Sequence, residues 1–115
     1  VARQLEAIEE VKFYNWVRRK PAIAPYIFKI CNEGKRSPQY GMQLKRQGMR
    51  AGVLDNFCMI ARGDYHGLWL EFKIKPNPLT KAQKEFAENA KEQGYKVVVV
   101  YSADEAIKEL ESYLS

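Results

Sequence analysis

Histidine occurs once in this chain and cysteine twice, and no apolar run approaches the roughly 20 residues that span a membrane. Each scarcity excludes a class of protein. His66 alone cannot build a multi-histidine zinc site, and it reads as a turn residue with DNA contact as the second reading. No serine or cysteine stands in a recognisable nucleophile setting. Cys31 and Cys58 both fall in apolar, strand-like runs, which predicts buried, reduced thiols in an intracellular protein. Signal-peptide pattern, internal repeats, low-complexity tracts and linkers are also missing, so residues 1–115 are expected to form a single domain. Acids are nearly absent from one long stretch. From Lys12 to Arg50 there are ten Lys and Arg against one acid, Glu33, giving +9, while residues 1–11 and 51–115 carry −2 each. So one-sided a block suggests a polyanionic partner, most simply a nucleic acid whose phosphates release counterions on binding.

What the chain does have is patterned for a core. The opening "RQLEAIEEVKFYNWVRRK" reads as a helix in which Glu6, Glu10, Phe13 and Val17 share one stripe, closed by Pro21 and Pro25. "YIFKIC" reads as a short strand and "NEGKRS" as a turn. Ser37 before Pro38 offers an N-cap for a basic helix, "PQYGMQLKRQG", stopped by Gly48. Two strands are predicted near 55–61 and 67–74, joined by "RGDYHG" as a hairpin. Thr80 with Gln83 forms a capping box for a helix reaching about Gln93. "YKVVVVY" has the character of a strand buried on both faces, and Ser102 with Glu105 opens a last helix. Helices before and after a central sheet predict a three-layer α/β sandwich with a mixed sheet flanked by helices.

One apolar run carries an acid, Asp55, among Val53, Leu54, Phe57, Met59 and Ile60, where an unpaired carboxylate is costly. In "GLWLEFKIK" the alternation of a strand puts Glu71 and Lys73 on one face. Glu-x-Lys on a strand also fits an ordinary solvated face. Placed beside Asp55 by a hairpin, however, Glu71 would share a site with a second carboxylate, which calls for a cation. All-oxygen ligands favour Mg²⁺ or Mn²⁺ over zinc, and a lysine beside such an ion can serve a water. That combination suits phosphodiester hydrolysis.

The blocks "LEAIEEVKFYNW", "NEGKRS", "LKRQGMRAG", "GMRAGVLD", "GDYHGLWLEFK", "LTKAQKEF" and "GYKVVVVYSADEA" resemble, in that order, the virus-type replication-repair nuclease domain (VRR-NUC) of the PD-(D/E)-x-K nucleases. The resemblance spans nearly the whole chain. It implies a restriction-endonuclease-like sandwich in which Asp55, Glu71 and the backbone carbonyl of Phe72 hold Mg²⁺ or Mn²⁺ and Lys73 is the catalytic lysine. A first-helix acid joins them. Glu6 matches it best, with Glu10 standing where the family usually has glutamine and Glu9 a third candidate. Leu54 stands where proline is common. Gln83 matches a family position, although its capping box explains it equally well. Asn32, Lys35 and Arg36 after the first strand, and Lys45, Arg46 and Arg50 before Asp55, are the candidate DNA contacts. The resemblance further implies a homodimer that cuts branched DNA, such as four-way junctions, in the cytoplasm of a bacterial host, with a phage or prophage origin. The alternative is a non-catalytic DNA-binding module on the same fold. Tyr14, Trp16 and Trp69 are read as core or subunit-interface aromatics.

Overall fold

The computed structural model describes residues 1–31 and 37–115. Its elements follow the expected order. Helix α1 (Ala2–Val17) leads through a 3-10 turn (Ala24–Tyr26) to β1 (Ile27–Lys29), and α2 (Pro38–Arg46) comes next. Strands β2 (Asn56–Cys58) and β3 (Leu68–Phe72) form the hairpin, followed by α3 (Lys81–Glu92), β4 (Lys96–Val100) and α4 (Ala103–Leu114). The sheet runs β1-β2-β3-β4. Its first two pairings are antiparallel, and β3 with β4 is parallel, as the connection through α3 requires.

Strand alternation divides this sheet into two unlike faces. Ile27, Cys58, Leu68, Leu70, Phe72 and Val100 join Phe13 and Val17 of α1 and Ala106, Leu110 and Tyr113 of α4 in the main core. Phe72 meets Phe13 with ring centroids 5.7 Å apart. The opposite face carries Phe57 and Trp69, 4.5 Å apart, and Trp69 packs edge-on against Phe86 of α3 at 4.9 Å. The layers are therefore α1 and α4, sheet, and α3. Helix α2 has no buried residue and stands at the margin.

Local chemistry ends the elements where the sequence says it should. Ser37 accepts from the Tyr40 N–H, and Thr80 and Gln83 complete a reciprocal capping box. At α4 the box is only half made. Ser102 accepts from the Glu105 N–H, but the Glu105 carboxylate reaches back to the N–H of Tyr101 instead.

Two expectations need correction. Cys58 is buried, but Cys31 is exposed, because β1 ends at Lys29 and leaves it beyond the sheet. The valine-rich run forms β4 at the sheet's edge, and of its residues only Val100 is buried. Helices α3 and α4 lie against β4, and no strand lies outside it among the described residues. An apolar run reports covered faces; it does not report which strands lie alongside.

Candidate active site

Asp55 and Glu71 are neighbours across the hairpin. Asn56 pairs with Leu70 and Phe57 with Trp69, so continuing that register by one step sets Asp55 opposite Glu71. Both project from the α3 face, just where the antiparallel ladder ends. The Asp55 N–H donates to Glu71 Oε1 at 3.1 Å, and Gln83 Nε2 approaches Glu71 Oε2 at 3.4 Å. Gln83 thus completes its capping box and also faces Glu71. Its carbonyl oxygen accepts from the Thr80 N–H at 2.9 Å, and its amide nitrogen turns to the acid.

The two acids open onto a cleft of about 370 Å³, also lined by Arg3, Glu6, Met49, Arg50, Gly52 and Thr80. Gly52 is needed here. Its φ is +87°, and a Cβ would lie 2.4 Å from the backbone of Ala82, so only glycine lets this loop cross the start of α3. A larger groove of about 620 Å³ between α1 and β1 shares Arg3 and Glu6 with the cleft but reaches neither Asp55 nor Glu71. Size does not identify the site; the carboxylates do.

Glu71 is only 2% exposed, and burial pushes its pKa up to about 7. The Asp55 N–H and the charge of Lys73 pull the other way, while Glu10 and Glu6 add to the rise. Lys73 sits one residue past β3 on the same face, half-buried, its N–H bonded to the carbonyl of Val100. The side chain of Phe72 belongs to the core, which leaves its backbone as the part able to serve the cleft.

The three first-helix acids have separate destinations. Glu9 accepts from the N–H of Ala103, at the first turn of α4, and from Lys12. Those two bonds hold its pKa down despite partial burial. Glu10 accepts from Lys29 Nζ at 2.8 Å and Asn56 Nδ2 at 2.9 Å. Glu6 lines the cleft. Among the described residues no three His, Cys, Asp or Glu side chains gather tightly enough to hold a metal by themselves, so the converging pair is Asp55 and Glu71. That pair still suits a hard divalent ion. The donors are all oxygen, and Glu71 is an acid whose charge burial opposes and a cation would stabilise.

Arg50 reaches the cleft, whereas Lys45 and Arg46 lie exposed at the end of α2. Asn32, Lys35 and Arg36 fall outside the described residues. His66 is exposed in the hairpin turn, its N–H bonded to the carbonyl of Gly94. Trp69 is packed between Phe57 and Phe86, and Tyr14 and Trp16 border the main core. Sequence reasoning passed over Arg3, Gly52 and Asn56. Of these, Asn56 had a visible signal: it is a second polar residue, next to Asp55, in the same apolar run.

No protein-family model matches this chain, and no curated protein does. A solved structure described as a "VRR_NUC domain protein" is similar over 95% of this chain and 87% of that one, with 32% identity and a TM-score of 0.80. Among the described residues no helix is long and apolar enough to cross a membrane. Similarity at that identity over nearly the full length of both chains goes beyond a shared fold: the chain belongs to the VRR-NUC domain family.

Proposed function

We propose that this chain is a metal-dependent, structure-selective DNA endonuclease, acting as a homodimer on branched DNA such as four-way junctions. The observation that carries the reading is the pairing of Asp55 and Glu71 across β2 and β3, at the floor of a cleft that also holds Arg3 and Arg50. Asp55 and Glu71, with the Phe72 carbonyl and Glu6, would hold Mg²⁺ or Mn²⁺. When bound, such an ion stabilises charge on the phosphate and acidifies a water. Lys73, one residue past the end of β3, would orient such a water. Arg3 and Arg50 hold the phosphates of the strand being cut, as cationic side chains position a nucleic-acid backbone without reading its sequence. Lys45 and Arg46 extend the basic track outward along α2. A two-fold dimer would present two such clefts to the matched strands of a symmetric junction.

The test is a panel of end-labelled four-way, flap, splayed and linear duplex DNAs, incubated with the protein with and without Mg²⁺. Paired nicks near the branch point, only with metal, are expected, together with a dimer mass by light scattering. Salt-sensitive binding without cutting in either Mg²⁺ or Mn²⁺ would instead leave a non-catalytic DNA-binding module.

A further inference from the structure

Two polar side chains are buried among the described residues, Glu71 at 2% exposure and Asn56 at 0%. Glu71 belongs to the cleft. Asn56 lies on the other face of the sheet, in a row with Leu70 and beside Cys58, and takes no part in the chemistry above. A leucine would fit that position, and a buried amide destabilises the fold unless its bonds are made. Helix α1 makes them. The Tyr14 hydroxyl donates to Asn56 Oδ1 at 2.8 Å, and Asn56 Nδ2 donates to Glu10 Oε2 at 2.9 Å. The other oxygen of Glu10 accepts from Lys29 Nζ at 2.8 Å. Lys29 and Asn56 are register partners on β1 and β2, so one carboxylate fastens α1 to two strands.

The rest of α1 explains why such a fastening is needed. Phe13 and Val17 anchor its C-terminal half in the core. Before Phe13 the helix buries no apolar side chain: Leu5, Ile8 and Val11 are 42%, 51% and 58% exposed, and polar bonds such as that of Glu9 to the Ala103 N–H tie it down instead. Apolar contact is non-directional, and there is little of it here to fix how that stretch lies. Glu6, one turn before Glu10, must nevertheless meet the cleft that Asp55 lines, and Asp55 is the residue before Asn56.

We infer that Asn56 is a positioning residue: with Glu10 it fixes α1 against β2, and so places Glu6 relative to Asp55. The role toward a cation rests on the reading of the cleft given above; the fastening of the helix does not. The experiment compares Asn56→Leu and Glu10→Gln with wild type. It measures Mn²⁺ affinity by calorimetry, junction cleavage, and amide hydrogen exchange in the first two turns of α1. Asn56→Leu replaces the amide by an apolar side chain of similar size. It is expected to exchange faster in those turns and to weaken Mn²⁺ binding and cleavage by about 10- to 100-fold at temperatures where it remains folded. Glu10→Gln retains an oxygen to accept from Asn56 but loses the ion pair with Lys29, and is expected to show the same changes in smaller measure. Should Asn56→Leu not fold, Tyr14→Phe removes one hydroxyl and is expected to show the same changes in smaller measure. Unchanged exchange and Mn²⁺ affinity in the folded variant overturn the inference. A wild type that binds Mn²⁺ but cuts no DNA overturns only the nuclease reading, and one that binds no Mn²⁺ overturns the cation role as well.

Discussion

The two faces of strand β3 are built from alternate residues of one short segment, yet they answer to different demands. Leu68, Leu70 and Phe72 are buried against α1 and α4 and contribute the ordinary free energy of apolar burial. Trp69 and Glu71, pointing the other way, begin as packing and end as an acid whose charge its surroundings oppose. The stable face holds the strand still, which allows the opposite face to keep a carboxylate in an unfavourable place. Packing and the buried acid are separated here by the two-residue period of the strand.

The sharpest break in that comparison should come from the face that carries the acids. Asp55→Asn or Lys73→Ala is expected to lower metal-dependent cleavage by about 10²–10³-fold or more while DNA binding by gel shift stays nearly intact. Full activity in either variant would remove the assignment. On the other face, Leu70→Ala should destabilise the fold by about 2–5 kcal/mol in urea titration, yet spare cleavage at temperatures where the variant remains folded.

Glu71→Gln sharpens the contrast because it should do the opposite to stability. Glu71 binds its proton more tightly in the folded chain, at about 7 against 4.5 unfolded. Metal-free wild type therefore has this contribution most favourable below 4.5, loses it as pH rises toward 7, and is flat above. The glutamine variant lacks that decline. At pH 8 in EDTA it should be the more stable protein, by at most about 3 kcal/mol, and also the inactive one. Parallel melting curves of the two proteins between pH 5 and 8 would contradict this. The smallest expected effect lies at the rim of the cleft. Thr80→Ala opens the capping box of α3 and should lower stability by about 1 kcal/mol by thermal melting, with a modest loss of activity through Gln83.

Much of this arrangement is legible in the sequence because it is written in local codes. Capping residues and prolines mark the helices, and the alternation around Glu71 gives the face of β3 correctly. The three first-helix acids show where local codes stop. Glu6, Glu9 and Glu10 lie within a turn and a half of one helix, and no periodicity says which meets the cleft. Their fates depend on partners far along the chain: Ala103 for Glu9, and Lys29 and Asn56 for Glu10. The exposure of Cys31 follows from the shortness of β1, and the edge position of β4 follows from strand order; neither is a property of the residues themselves.

The sequence by itself determined the order of the elements and the face that Glu71 takes on β3, because backbone periodicity and end-capping act over a few residues. Only the tertiary structure decided that Asp55 opposes Glu71, that Glu6 lines the cleft while Glu9 and Glu10 are held elsewhere, and that Asn56 is buried against Tyr14 and Glu10. Those outcomes are set by hydrogen bonds and packing between segments up to 94 positions apart, such as Glu9 with Ala103, which no local pattern encodes.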